Sequence, residues 1–225
     1  MNENESVKYH VSIPKDELSR LPAESFQGEI VVVDSSELVE DAVNELLKET
    51  IIGFDTETKP NFKKGCHNRV ALLQLSTYTK CFLFRLCKIG LPQPLQDFLQ
   101  NEKITKIGLS IHDDFHNLKL LAPSVKPAGF IDLQPFVKQF LISDNSLSRI
   151  HGILFGKRIS KSQQLSNWEA PDLKPNQCMY AALDAYACLH IYSYLNHNGF
   201  KPEASKYYKQ LLLPSPPAET KNINP

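Results

Sequence analysis

Apolar positions change their spacing about halfway along this chain. Up to about residue 110 they come in short dense runs parted by polar turns; beyond it they recur at helical intervals. The β-branched run Glu29 to Val33 predicts a strand. Asp34-Ser-Ser-Glu37 then offers an N-cap with an acidic residue three further on, which predicts a helix to about Lys48. Thr50 to Asp55, Val70 to Ser76, Cys81 to Arg85 and Lys103 to Leu109 read as further strands, and Leu91 to Gln100 as a short helix. After residue 110 the pattern predicts helices over Asp114 to Leu121, Asp132 to Leu141, Leu147 to Phe155 and Lys174 to Asn196. Strands interleaved with helices early, then helices alone, imply an α/β fold on a mixed central sheet.

Residues 1–28 are broken by Pro14 and Pro22 and read as an extended lead-in strapped to the domain. The main domain is expected over 29–200. Beyond it, 201–225 carries five of the fifteen prolines and reads as a helix or turn followed by a mobile tail. At 225 residues, with 42% hydrophobic and 22% charged positions, the chain can bury a substantial core. Its 25 basic and 25 acidic residues cancel, so any contact with nucleic acid must come from a local patch. The five cysteines form no Cys-x-x-Cys pair and read as reduced thiols. The polar, acidic start lacks the apolar run of a secretion signal, and no stretch approaches a membrane span; a cytoplasmic location with no membrane partner is the expectation.

Three groups of residues offer chemistry. Asp55 and Glu57 lie two apart at the end of a predicted strand and therefore project to one side. They suit a hard divalent cation, or else form a capping or solvent-facing pair in a turn. In His112-Asp113-Asp114-Phe115-His116 the carboxylates favour a helix N-terminus. Asp114 shares the inward face with Leu118 and Leu121, which makes it the metal-ligand candidate; Asp113 falls in line with Asn117. His112 and His116 have the spacing of a zinc pair without a third ligand. Tyr180 and Asp184 neighbour each other on one helical face, either as a buried hydrogen-bonded pair or as part of a site.

The order of these groups resembles the DEDD superfamily of 3′–5′ exonucleases, in the subgroup with tyrosine in the third motif. Val70-Ala-Leu-Leu-Gln-Leu75, Lys106-Ile-Gly-Leu-Ser-Ile-His-Asp-Asp114, and Ser166-Asn-Trp-Glu169 followed by Gln177-x-x-Tyr180-Ala-Ala-x-Asp184-Ala-Tyr186 are similar to segments of ribonuclease D and the Werner-syndrome exonuclease domain. The resemblance implies an RNase H-like fold, with about five strands flanked by helices. It implies hydrolysis of phosphodiesters from the 3′ end with release of nucleoside 5′-monophosphates. Two divalent cations, Mg²⁺ or Mn²⁺, would be held by Asp55, Glu57, Asp114 and Asp184, with Asp55 shared between them. Tyr180 would orient the attacking water; its ordinary pKa of about 10 makes it a poor base. Single-stranded or 3′-overhanging DNA or RNA would be the partner; Thr56, Lys63, Arg69 and Lys161 are candidates to grip it, the three cations being otherwise solvated loop charges. Phe54, Phe62, Phe115 and Trp168 are candidates to stack a terminal base, or are core residues. Neither an accessory nucleic-acid domain nor a helicase is expected in the residues that remain. A domain that binds nucleic-acid ends without cleaving, and a hydrolase of small phosphoesters, are the competing expectations.

Overall fold

The computed structural model describes residues 8–60, 69–197 and 199–211. A short strand, Tyr9–Val11 (β1), leads into helix Lys15–Arg20 (α1), which begins after Pro14 and ends before Pro22. Strand Glu29–Val33 (β2) and helix Glu37–Leu46 (α2) follow, then Ile51–Thr58 (β3), Val70–Ser76 (β4) and Lys80–Phe84 (β5). A single-turn helix, Leu86–Ile89 (α3), precedes Gln93–Gln100 (α4), Thr105–Gly108 (β6) and His112–Leu121 (α5). Phe130–Asp132 (β7) runs into Leu133–Lys138 (α6), and Leu147–Phe155 (α7) precedes the long helix Pro175–His197 (α8). A 3₁₀ turn at Pro202–Ala204 leads to Tyr208–Gln210 (β8).

Six strands form one sheet in the order β2-β5-β4-β3-β6-β7. β4 is antiparallel to both of its neighbours, while β2 with β5, β3 with β6 and β6 with β7 are parallel, so the sheet is mixed. One face is covered by α2, α4 and α5, whose Val39, Leu95, Phe98 and Leu118 pack on Ile52, Phe54, Leu73 and Leu75. Against the other face lies α8, meeting Leu72 and Leu83 with Ala181 and Ala185. The seven residues of β4 are all buried, as a strand covered on both faces requires. β1 and β8 make a separate antiparallel pair that joins the two ends of the described chain.

Several expectations need correction. The sheet has a sixth strand, β7, just before the helix expected from Asp132, which forms as α6 with Asp132 as its cap; the strand's three residues are too few to show a period. The lead-in and the segment after Lys201 each supply one strand of the β1–β8 pair. Asp34 does not cap α2: the Ser36 cap makes no side-chain hydrogen bond, and the Asp34 carboxylate instead accepts from Lys88 Nζ at 3.0 Å. The expected mobile tail, the last ten or so residues, lies outside the described residues. No helix among the described residues is long and apolar enough to cross a membrane.

Candidate active site

The second half of β3 and the middle of α8 bring three carboxylates together. Oxygens of Asp55, Glu57 and Asp184 lie within 4.8 Å of one another. Alternation along β3 puts Asp55 and Glu57 on the α8 side, and a bulge between Glu57 and Thr58 ends the regular pairing with β4 there. Glycine at 53 lets the α8 backbone settle directly on β3, where any side chain would meet Ala185 and Leu189. That close contact sets Asp184, the residue before Ala185, against Asp55.

Asp114 arrives from the other layer. Thr56 projects opposite to Asp55, and its hydroxyl donates to Asp114 Oδ1. The doublet is split by exposure: Asp113 is 95% exposed beside His112, whereas Asp114 is half-buried against the sheet. The turn into α5 carries Ser110 at φ 60°. Asp132 braces it, accepting from the backbone N–H of Ser110 at 2.9 Å and Ile111 at 3.3 Å while capping α6 through Gln134 N at 2.8 Å. Asp132 escaped the reading of the sequence; its place as the first residue of an expected helix was the one signal for it.

Tyr180 lies one turn before Asp184 on α8, its ring centroid 6.0 Å from that of Trp168. Gln177 holds the Trp168 segment to the start of α8, donating to Asn167 O at 3.3 Å and accepting from Lys174 N at 3.0 Å. Trp168 and Phe54 are both wholly buried, Phe54 edge-to-face with Phe115 and Phe130 on the far side of the sheet from the three carboxylates. Neither ring has a face free for a base, so both are corrected to core residues; Phe115 packs in the same cluster. Lys63 and Phe62 lie outside the described residues, and Arg69 lines a different cleft, at the start of β4.

A pocket of about 280 Å³ opens on the carboxylates. Across it stand Ser146, Ser160, Lys161 and Gln164, and Lys161 is its only cation among the described residues. Hydrogen bonds from Ser148 Oγ to Ile159 O at 2.9 Å and from Ile159 N to Ser148 Oγ at 3.2 Å fix this wall to α7.

Crowding of like charge in a buried place sets the electrostatics. Burial, then the charges of Asp184, Glu57 and Asp114, raise the Asp55 carboxyl well above its ordinary range. Glu57 is pushed up to about 9 by burial and by Asp184 and Asp114. Asp184 rises to about 7 through burial, opposed by the nearby Tyr180 hydroxyl and Lys161 ammonium. Burial takes Asp114 to about 6, with Thr56 opposing. Tyr180 is itself pushed upward by burial and by Asp184, so it stays protonated at neutral pH. Asp184 Oδ1 is buried without a hydrogen-bond partner. A carboxylate oxygen in that position, beside two more carboxylates, fits a hard divalent cation, which would satisfy the orphan oxygen and remove the repulsion.

A family model described as 3′-5′ exonuclease matches residues 30–199. The chain is 36% identical over 191 residues to the mouse bifunctional 3′-5′ exonuclease/ATP-dependent helicase WRN, covering 80% of this chain and 13% of that protein. It is 28% identical over 194 residues to an Arabidopsis thaliana 3′-5′ exonuclease, covering 77% of this chain and 66% of the other. Among solved structures, the Aedes aegypti Nibbler EXO domain superposes with a TM-score of 0.70 at 24% identity, covering 80% of this chain and 96% of that one. Escherichia coli RNase D gives 0.67 at 21% identity, covering 75% and 44%. The architecture is thus the RNase H-like one of these exonucleases.

Proposed function

The chain belongs to the 3′-5′ exonuclease family, and from that premise we propose that it hydrolyses the terminal phosphodiester at the 3′ end of a single-stranded or 3′-overhanging DNA or RNA, releasing a nucleoside 5′-monophosphate. One observation carries the reading: Asp55, Glu57 and Asp184 converge, with an unsatisfied buried oxygen, on a pocket that also holds Tyr180 and Lys161. Asp55, Glu57 and Asp184 would hold one Mg²⁺ or Mn²⁺, and Asp114 would help to hold a second. When bound, such ions acidify water and stabilise the developing charge on the leaving oxygen. In the reaction the water oxygen forms a new bond to phosphorus, the bond to the 3′ oxygen of the shortened strand breaks, and that oxygen takes up a proton.

The chain's own groups position these partners. Tyr180, protonated and backed by Trp168, presents its hydroxyl beside Asp184, where it can orient the water without acting as a base. Thr56 fixes the Asp114 carboxylate. Lys161 faces the acidic groups across the pocket and supplies positive charge to the phosphate of the departing nucleotide. The experiment is digestion of matched 5′-labelled DNA and RNA oligomers in Mg²⁺, Mn²⁺ or EDTA, with Asp55→Ala alongside. A metal-dependent ladder shortening from the 3′ end and absent in Asp55→Ala is the expected result. Equal cutting by Asp55→Ala would refute the site, and no ladder from folded protein with either polymer would refute the activity.

A further inference from the structure

At the same end of the sheet lies a second cleft that the catalytic chemistry does not use. Its wall includes Val70, which pairs with Thr58, the residue after Glu57. It encloses about 600 Å³ between the start of β4, the end of β5 with α3, and the segment Glu169–Pro171. Three cations line it: Arg69, Arg85 and Lys88.

Arg85 is the unusual member. It is 1% exposed, and its guanidinium donates to Ala170 O and, at 3.4 Å, to Pro171 O. Its Nε has no partner, and no carboxylate pairs with it among the described residues. A buried cation whose partners are two carbonyls and the Cys87 sulfur has no opposite charge paired with it, which favours an anion close by. Around it, Lys88 pairs with Asp34 at 3.0 Å and Glu169 pairs with Lys59 at 3.2 Å. The four cations Lys59, Arg69, Arg85 and Lys88 thus face two carboxylates, in a chain whose overall charge is zero.

We propose that this cleft takes a backbone phosphate of the nucleic-acid strand on the 5′ side of the nucleotide being removed. Arg69 and Lys88 are the accessible contacts, and Arg85 is the fixed charge behind them. The inference rests on the exonuclease reading above. A strand whose 3′ end occupies the carboxylate pocket must leave along the surface, and this basic cleft lies at the same end of the sheet. Because the whole chain is neutral, affinity for the strand depends on such a patch.

Lys88→Gln tests this without touching the catalytic pocket, since Lys88 is exposed and its ion pair is a surface one. Dinucleotide cleavage is expected to stay at the wild-type rate, while kcat/KM for long oligomers falls about fivefold. In Asp55→Asn, which spares the strand, adding Lys88→Gln is expected to make the slope of log affinity against log salt shallower by about 0.7, the value for one phosphate contact on a single strand. The exposed Cys87, 3.6 Å from the Arg85 guanidinium, gives an independent reading. Its alkylation, followed by mass spectrometry, should slow when a long oligomer binds and stay unchanged with a dinucleotide. Cleavage with an unchanged salt slope and no protection of Cys87 would overturn the cleft while leaving the exonuclease reading intact. Protection of Cys87 without any cleavage would uphold the cleft and refute the exonuclease reading.

Discussion

Gly53 and Ala185 touch backbone to backbone: a β-carbon on Gly53 would lie 1.8 Å from the Ala185 carbonyl oxygen and 3.2 Å from the Leu189 β-carbon. The carbonyl belongs to a helix backbone and cannot swing aside. Gly53→Ala must therefore push α8 off β3 and carry Asp184 away from Asp55. We expect a loss of about 2–3 kcal/mol in stability and a far larger loss of activity, because metal geometry fails before the fold does. Denaturant unfolding and initial rates on one preparation check this; a variant of wild-type activity would show that the helix can shift without moving the site.

The acidic cluster makes stability depend on pH with a defined sign. Asp114, Asp184 and Glu57 have folded values of about 6, 7 and 9, above the ordinary carboxylate range. Between about pH 4 and those values the folded chain holds protons that the unfolded chain has released, so stability is lost as pH rises through that window. In EDTA the melting temperature should fall by about 5 °C or more between pH 5.5 and 8.5. Mn²⁺ should raise it far more at pH 8.5 than at 5.5, since the ion replaces protons. A metal-free melting temperature that climbed with pH would contradict the described cluster.

Removing the Tyr180 hydroxyl should separate orientation from metal binding. Tyr180→Phe is expected to lower kcat by about 100- to 1000-fold while keeping the Mn²⁺-induced rise in melting temperature. Without the hydroxyl, one influence that lowers the Asp184 pKa is gone, so the acid limb of the pH–rate profile should move upward. A variant of unchanged rate would remove Tyr180 from the reaction.

The two aspartates at the start of α5 should behave differently. Asp113→Asn changes an exposed group and should leave activity within about twofold. Asp114→Asn should reduce it at least a thousandfold, and Thr56→Val, which removes the hydroxyl that holds Asp114, should fall between them. Initial rates of the three variants, each with a melting curve, settle the order; equal small effects at 113 and 114 would exclude the motif.

Much of the scaffold was legible because the elements there are long and patterned. β2, β4 and α7 have the bounds that their apolar runs predict. The short strands β1, β7 and β8 were not, since three residues carry no period and owe their conformation to a neighbour. Asp34 reads as a cap in one dimension but is taken by Lys88, 54 residues away in the chain. The catalytic candidates could be found from spacing and family resemblance, whereas their supports could not. Asp132 and Gly53 act through partners distant in sequence, and aromatic residues near the motifs gave no sign that Phe54 and Trp168 would be wholly enclosed.

The pairing of β1 with β8 has a consequence for how the chain comes to be folded. Tyr9 lies opposite Gln210, and Leu211 N donates to Lys8 O at 2.7 Å, so these contacts close a loop of nearly the whole described chain. Ends so far apart meet slowly, and on a ribosome they cannot meet until β8 has emerged. The sheet and its carboxylates are complete by α8, so the β1–β8 pair is the last contact that synthesis of the described residues makes possible.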